Sequence, residues 1–282
     1  MTLLPDRLPT YACDVVGLVS IALVLAGIQS YVPLSVRDAL VFDHGQLRGY
    51  TLLTAAYVHA SEPHLLQNLD GYVRIVGFPY LYSVASDGRR WFWQTTLALL
   101  FVLPILTSLT SYALLPVLYP DVTPVTYGFS DVVAGFAGVL IVAVGRYVQA
   151  RHSPTVAWAV SCTGGALAVA VIGIRLTGTA SAAVTGTVGL RAGLVVAGGW
   201  FLTAARSQSD ARTRLAWVTE TVVFGLTGVV FGTLLWDFFP PLSALATTGP
   251  TTNLVGHAAG LGWGVVLAVS LHGFDRNEAV DR

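Results

Sequence analysis

The sequence is built from apolar blocks of about twenty residues, separated by short polar stretches. As an α-helix rising 1.5 Å per residue, such a block crosses a hydrocarbon core about 30 Å thick. In hydrocarbon, backbone N–H and C=O groups must be satisfied within the protein, which restricts the chain to helices or a closed barrel. Blocks this long select helices. Candidate spans cover about 13–33, 63–85, 91–118, 130–150, 156–175, 185–205, 215–236 and 254–272. The expected fold is therefore all-α: a polytopic membrane helical bundle of about eight spans, forming a single integral membrane domain over 1–282.

Composition agrees. Hydrophobic residues make up 54% of the chain and charged residues only 11%, against about 25% charged in an average soluble domain. Fifteen basic residues balance fifteen acidic ones. A nucleic-acid binder would need a concentrated basic surface, so no nucleic-acid partner is expected; the expected partners are the lipid bilayer and other membrane proteins. With the N-terminus inside, ten arginines fall in inside segments, and Arg37, Arg48, Arg175 and Arg191 fall outside. The positive-inside rule then puts both termini in the cytoplasm; the expected location is the cell membrane of a prokaryote. The first span is too long, and its flank too weakly basic, for a cleavable signal. Cys13 and Cys162 make neither a disulfide framework nor a zinc site, and are expected to be buried as small apolar residues.

Polar residues are costly inside a bilayer and so mark candidate sites. The second span opens with His64 and Asn68, four apart on one helix face, with His59 at its mouth. Asp70 and Arg74 follow with the same spacing, and the structural reading of these two is an ion pair. Ser130 and Asp131 open the fourth span. A lone Ser in a membrane helix is ordinarily a packing or capping residue, and the nearby Ala134, Gly135, Ala137 and Gly138 form a small-residue face for helix packing. His257 opens the last span on a ridge of Gly256, Gly260 and Gly264; the bland reading is a packing face that happens to hold a histidine. The second, fourth and eighth spans all run outside to inside. His64, Asn68, Ser130 and His257 are therefore expected in one layer near the outer surface.

A Ser at a helix start, a His on a second helix and a His/Asn pair on a third suit acyl transfer. His257 would be the general base for Ser130. His64, Asn68 and the Ser130 backbone N–H would stabilise the tetrahedral oxyanion. These residues resemble the rhomboid family of intramembrane serine proteases. His59, His64 and Asn68 match its H-x4-H-x3-N pattern, and Gly128-Phe129-Ser130 matches the start of G-x-S-G. His257-Ala258-Ala259-Gly260 with Gly264 matches H-x-x-G-x-x-x-G. The resemblance implies a rhomboid-like core carried by 48–150 and 250–272, with about two additional spans in the intervening 156–236. It implies catalytic roles for Ser130 and His257, oxyanion stabilisation by His64, Asn68 and Ser130, and supporting packing by Gly128, Gly260 and Gly264. The substrates would be transmembrane proteins, cleaved in or near their membrane segments.

Two positions depart from the family. Asp131 stands where the family has Gly, and Ala134 stands where an aromatic often packs on the histidine. Asp131 could cap its helix or favour a charged His257. These departures motivate a second reading: a catalytically inactive rhomboid-like protein that binds transmembrane clients. A third is a transporter whose polar path uses His64, Asn68, Asp70 and Arg74, although no inverted repeat is visible. No cofactor and no metal are expected, since His64 and His257 lack a third ligand at suitable spacing. The oligomeric state is left open.

Overall fold

In a computed structural model, residues 8–118, 125–152, 154–177, 211–240 and 253–280 are described. Five of their helices are long and apolar enough to cross a membrane, or six when a bent pair counts as one crossing. The chain is thus a polytopic membrane helical bundle. The sixth expected span, 185–205, lies outside the described residues.

The elements run α1 (Leu8–Tyr31), α2 (Leu34–Leu40), β1 (Phe42–Asp43), α3 (Thr51–Thr54), a 3-10 turn (Ala55–Tyr57), α4 (Glu62–Ala85), α5 (Arg89–Phe101) and α6 (Leu103–Leu118). After β2 (Val125–Thr126) come α7 (Ser130–Arg151), α8 (Pro154–Thr177), α9 (Ala211–Phe238) and α10 (Leu254–Val280). They fall into two units, 1–153 with 253–282, and 154–252. In the first unit α7 is central, packed on α4 and α10, with α5 and α6 alongside. In the second, α8 packs on α9, where the Arg175 guanidinium lies 3.9 Å from the Trp236 ring centre.

The block expected as one span over 91–118 is a pair of helices, α5 and α6, bent by 43°. Pro104 explains the break. It has no N–H to donate to the Leu100 carbonyl one turn earlier. That carbonyl instead accepts a hydrogen bond from the Tyr57 hydroxyl. The long segment between α1 and α4 carries regular elements. It holds α2, β1 and α3, and β1 pairs antiparallel with β2, Phe42 opposite Thr126.

Asp14 ties the start of α1 to α4 and α5. Its carboxylate accepts two hydrogen bonds from Arg89, at 2.7 and 2.6 Å, one from the Tyr80 hydroxyl at 2.9 Å and one from the Trp93 indole at 2.8 Å. The Asp14 residue is 2% exposed, and four donors satisfy a charge that would otherwise be costly to bury. Nearby, the Trp91 indole donates to the Ala268 carbonyl at 2.9 Å, and Arg146 lies over the Trp91 ring and bonds His272. The starts of α1 and α5 and the far ends of α7 and α10 therefore share one layer.

Asp70 and Arg74 form the expected i, i+4 ion pair, at 2.6 Å. The cysteines differ from expectation: Cys13 and Cys162 are both free and exposed. A small apolar residue needs no protein cover where lipid supplies the apolar surroundings.

Replacing Asp14 by Ala leaves Tyr80 and Trp93 without their acceptor. We expect a loss on the order of 2–3 kcal/mol, seen as a lower melting temperature of the helical circular dichroism signal in detergent. An unchanged melting temperature would show that the Asp14 cluster does not hold α1.

Candidate functional site

The candidate site lies where α7, α10 and the start of α4 meet. Small residues set the distance between α7 and α10. A Cβ on Gly260 would sit 2.3 Å from the Asp131 carbonyl oxygen, and one on Gly264 2.3 Å from that of Gly135. A Cβ on Gly138 would sit 2.3 Å from the Leu261 carbonyl oxygen. These partners are backbone atoms with little freedom to retreat, so the two helices are in main-chain contact along two turns. The contact aligns the first turn of α7 with the first turns of α10.

Asn253 fixes the start of α10. Its side-chain oxygen accepts from the Gly256 N–H at 2.9 Å, an N-cap bond, and its amide donates to Ser111 on α6 at 3.0 Å. His257 follows one residue later and is buried, at 4% exposure. On α7, Ser130 is the first helical residue and is partly exposed. Its backbone N–H has no acceptor within the helix. Asp131 is buried against α10, and its carboxylate lies 3.9 Å from Nε2 of His257.

The third component comes from α4. Ser61 caps this helix by accepting from the His64 N–H at 3.3 Å, which sets His64 in the first turn. Asn68 lies one turn on, buried, and its amide donates to the His64 carbonyl at 2.9 Å. Both side chains face Gly128. A Cβ there would lie 2.7 Å from His64 Cε1 and 3.7 Å from Asn68 Nδ2. Gly128 also has φ +110°, a conformation that side chains disfavour. Glycine is required at 128 by both the backbone and the neighbouring imidazole.

The turn before Ser130 is anchored from the segment between α1 and α4. The Gly128 N–H donates to the Ala55 carbonyl at 2.9 Å, and the Phe129 N–H to Nε2 of His59 at 3.3 Å. His44 bonds Thr126 at 2.9 Å beside the β1–β2 pair. Because Nε2 of His59 accepts, its proton sits on Nδ1 when the ring is neutral. Burial, with His64 and Arg37 nearby, holds this imidazole far below the ordinary 6.5, at about 3.

Ser130, His257, His64, Asn68, Gly128, Gly260 and Gly264 thus lie along one connected set of contacts between α4, α7 and α10. The described contacts include no Ser130–His257 hydrogen bond. Asn253, Ser111 and Arg37, which donates to the His59 carbonyl at 3.1 Å, were not anticipated from the sequence. Asn253 carried a signal, an Asn three residues before Gly256 at a helix start; Ser111 and Arg37 carried none. Among the described residues, no group of three His, Cys, Asp or Glu converges as metal ligands would. Comparison with protein-family models, with curated proteins and with solved structures gave no match.

Two outcomes follow from this geometry. Gly128→Ala combines a disfavoured φ with displacement of His64, and should cost about 1–3 kcal/mol, read as thermal unfolding in detergent; a neutral result would place the turn in another conformation. His59 generates a pH effect. Between about 6.5 and about 3 the unfolded chain binds a proton at His59 and the folded chain does not. Stability attributable to this residue is therefore complete above pH 6.5 and is lost as pH falls through that window. The melting temperature of the native protein should fall more steeply from pH 7 to pH 4 than that of His59→Gln. Parallel slopes would mean that His59 is not held neutral.

Proposed function

We propose that the chain is an intramembrane serine endopeptidase of the rhomboid type, cleaving peptide bonds in or near transmembrane segments of partner proteins. The observation that carries this reading is the convergence of three elements. These are the Ser130 turn, the His64/Asn68 face of α4 packed on Gly128, and His257 at the start of a helix in backbone contact with α7.

The chemistry follows from those groups. The Ser130 hydroxyl attacks the scissile carbonyl while His257 takes its proton. The resulting oxyanion is held by the Ser130 N–H, His64 and Asn68, donors that act strongly where water is scarce. His257 then protonates the leaving amine, and a water molecule activated by the same imidazole hydrolyses the acyl-enzyme. Substrate enters laterally from the bilayer, and water reaches Ser130 from the outer side. Both termini then lie in the cytoplasm.

A second reading, a silent relative that binds transmembrane clients, is favoured by one observation. The Asp131 carboxylate comes within 3.9 Å of Nε2 of His257, the nitrogen a base would need free. The test is cleavage of a panel of tagged transmembrane substrates by purified protein in liposomes. Cleavage abolished by both Ser130→Ala and His257→Ala supports the protease. A folded protein that cleaves nothing on the panel and whose Ser130 does not react with a fluorophosphonate probe supports the silent reading; cleavage that survives Ser130→Ala counts against Ser130 as the nucleophile.

A further inference from the structure

The face of α4 turned away from the candidate site is exposed, and it carries charge. α4 runs beside α7 for the length of both helices. His64 lies against Gly128 at their starts, Tyr72 meets Phe136 with ring centres 5.7 Å apart, and Tyr82 meets Tyr147 at 5.3 Å near their ends. α7 is long and apolar enough to cross a membrane, whereas α4 is not among the helices that qualify on the same terms. The outward face accounts for much of the difference. Leu66, Asp70, Val73, Gly77 and Leu81 recur along it at steps of three and four residues, the spacing of one helix face. Leu66, Val73 and Leu81 are exposed, and the Asp70 side chain is 63% exposed. Asp70 pairs with Arg74 at 2.6 Å near the middle of the helix.

Two features of this face are costly for a single copy in lipid. An exposed ion pair halfway along a helix that accompanies a membrane span has hydrocarbon around it rather than water. Gly77 has nothing within 4 Å of the place its Cβ would take. Glycine there weakens the helix without letting any described neighbour come closer. Both costs are offset when a second helix lies along the face, because glycine permits close approach and the polar side chains gain partners. The charges indicate which helix. Copies of one chain insert in the same sense, so a two-fold axis along the membrane normal sets their α4 helices side by side at equal depth. Asp70 and Arg74 are opposite in sign and one turn apart. Each aspartate then reaches the arginine of the other copy as well as its own, and the four charges form an alternating ring. A client helix would have to bring matching charges to the same depth; a second copy carries them by construction. We infer that the face of α4 bearing Leu66, Asp70, Val73 and Gly77 is a homodimer interface, in which the Asp70–Arg74 pairs of two copies interlock. This inference does not rest on the protease reading.

The test is Förster transfer between donor- and acceptor-labelled copies of the full-length protein in phosphatidylcholine vesicles, over a range of protein-to-lipid ratios. Native protein should show transfer that saturates as the ratio rises. Asp70→Arg alone and Arg74→Asp alone should each weaken self-association by about tenfold. A mixture of the two variants should recover it, since each carries the charge the other lacks. Gly77→Leu should also weaken association by about tenfold, without lowering the melting temperature of the helical circular dichroism signal in excess detergent. Native protein that stays monomeric at every ratio overturns the inference and leaves the face to a different membrane partner. Association as strong in Gly77→Leu and in both charge variants as in native protein places the interface elsewhere and overturns it too. Should the charge variants fail to fold, Gly77→Leu decides alone: lost association supports the interface and unchanged association overturns it. None of these outcomes depends on peptidase activity.

Discussion

Main-chain contact between α7 and α10 is the constraint on which the rest of the first unit depends. Helix association in lipid gains nothing from the hydrophobic effect between helices, since lipid is as apolar as leucine. What remains is close packing. Glycine lowers helix stability by about 1 kcal/mol relative to alanine, yet it stands at 135, 138, 260 and 264 along this seam. The gain is a fixed register. With a Cβ at 264 only 2.3 Å from a carbonyl oxygen, neither helix can slide or carry a larger side chain without separating. That register puts Asp131 opposite Gly256 and brings His257 beside the first turn of α7.

The α7 side of the site is held independently by the segment between α1 and α4. β1 pairs with β2, Ala55 accepts from Gly128, and His59 accepts from Phe129. The turn before Ser130 is therefore set by hydrogen bonds from three points upstream, while the helix after it is set by α10. A residue at such a junction has few conformations to sample. This is what a group used for nucleophilic attack requires, because orientation supplied in advance need not be supplied during the reaction.

Much of this was legible in the sequence, for identifiable reasons. Apolar block length gave the helical class and most span positions, because bilayer thickness sets block length. The Gly256–Gly260–Gly264 ridge and the small face around Gly135 and Gly138 were visible as two complementary surfaces, and they do pack together. His64 lies against Gly128, two residues before Ser130, and His257 lies 3.9 Å from the carboxylate of the residue after Ser130. Other features depended on contacts far apart in the chain. Pro104 suggests a bend, but the bend is accommodated because Tyr57, 43 residues before Leu100, takes up the freed carbonyl. Asp14 sits at the edge of an apolar block, and its importance appears only once Arg89, Tyr80 and Trp93 surround it. For Asp131 the sequence left two directions open, a cap on its own turn or an approach to His257. As a helix-start residue it could have capped its own turn; the notch at Gly256 draws it across the seam instead.

A site of this kind must reconcile burial with polarity. His257, Asn68, His59 and Asp131 are all buried, in a chain whose surroundings are largely apolar. Each would be a liability alone. They are accommodated because they are gathered at the starts of α4, α7 and α10, where helix starts supply unpaired N–H groups and capping side chains supply acceptors. The same arrangement leaves Ser130 partly exposed while the groups around it are enclosed. Concentrating the polar residues at the helix starts keeps them out of the seam below, where only glycine and small side chains fit. The close packing that fixes the register and the polarity that chemistry would need thus occupy successive levels of the same helices, and neither is obtained at the expense of the other.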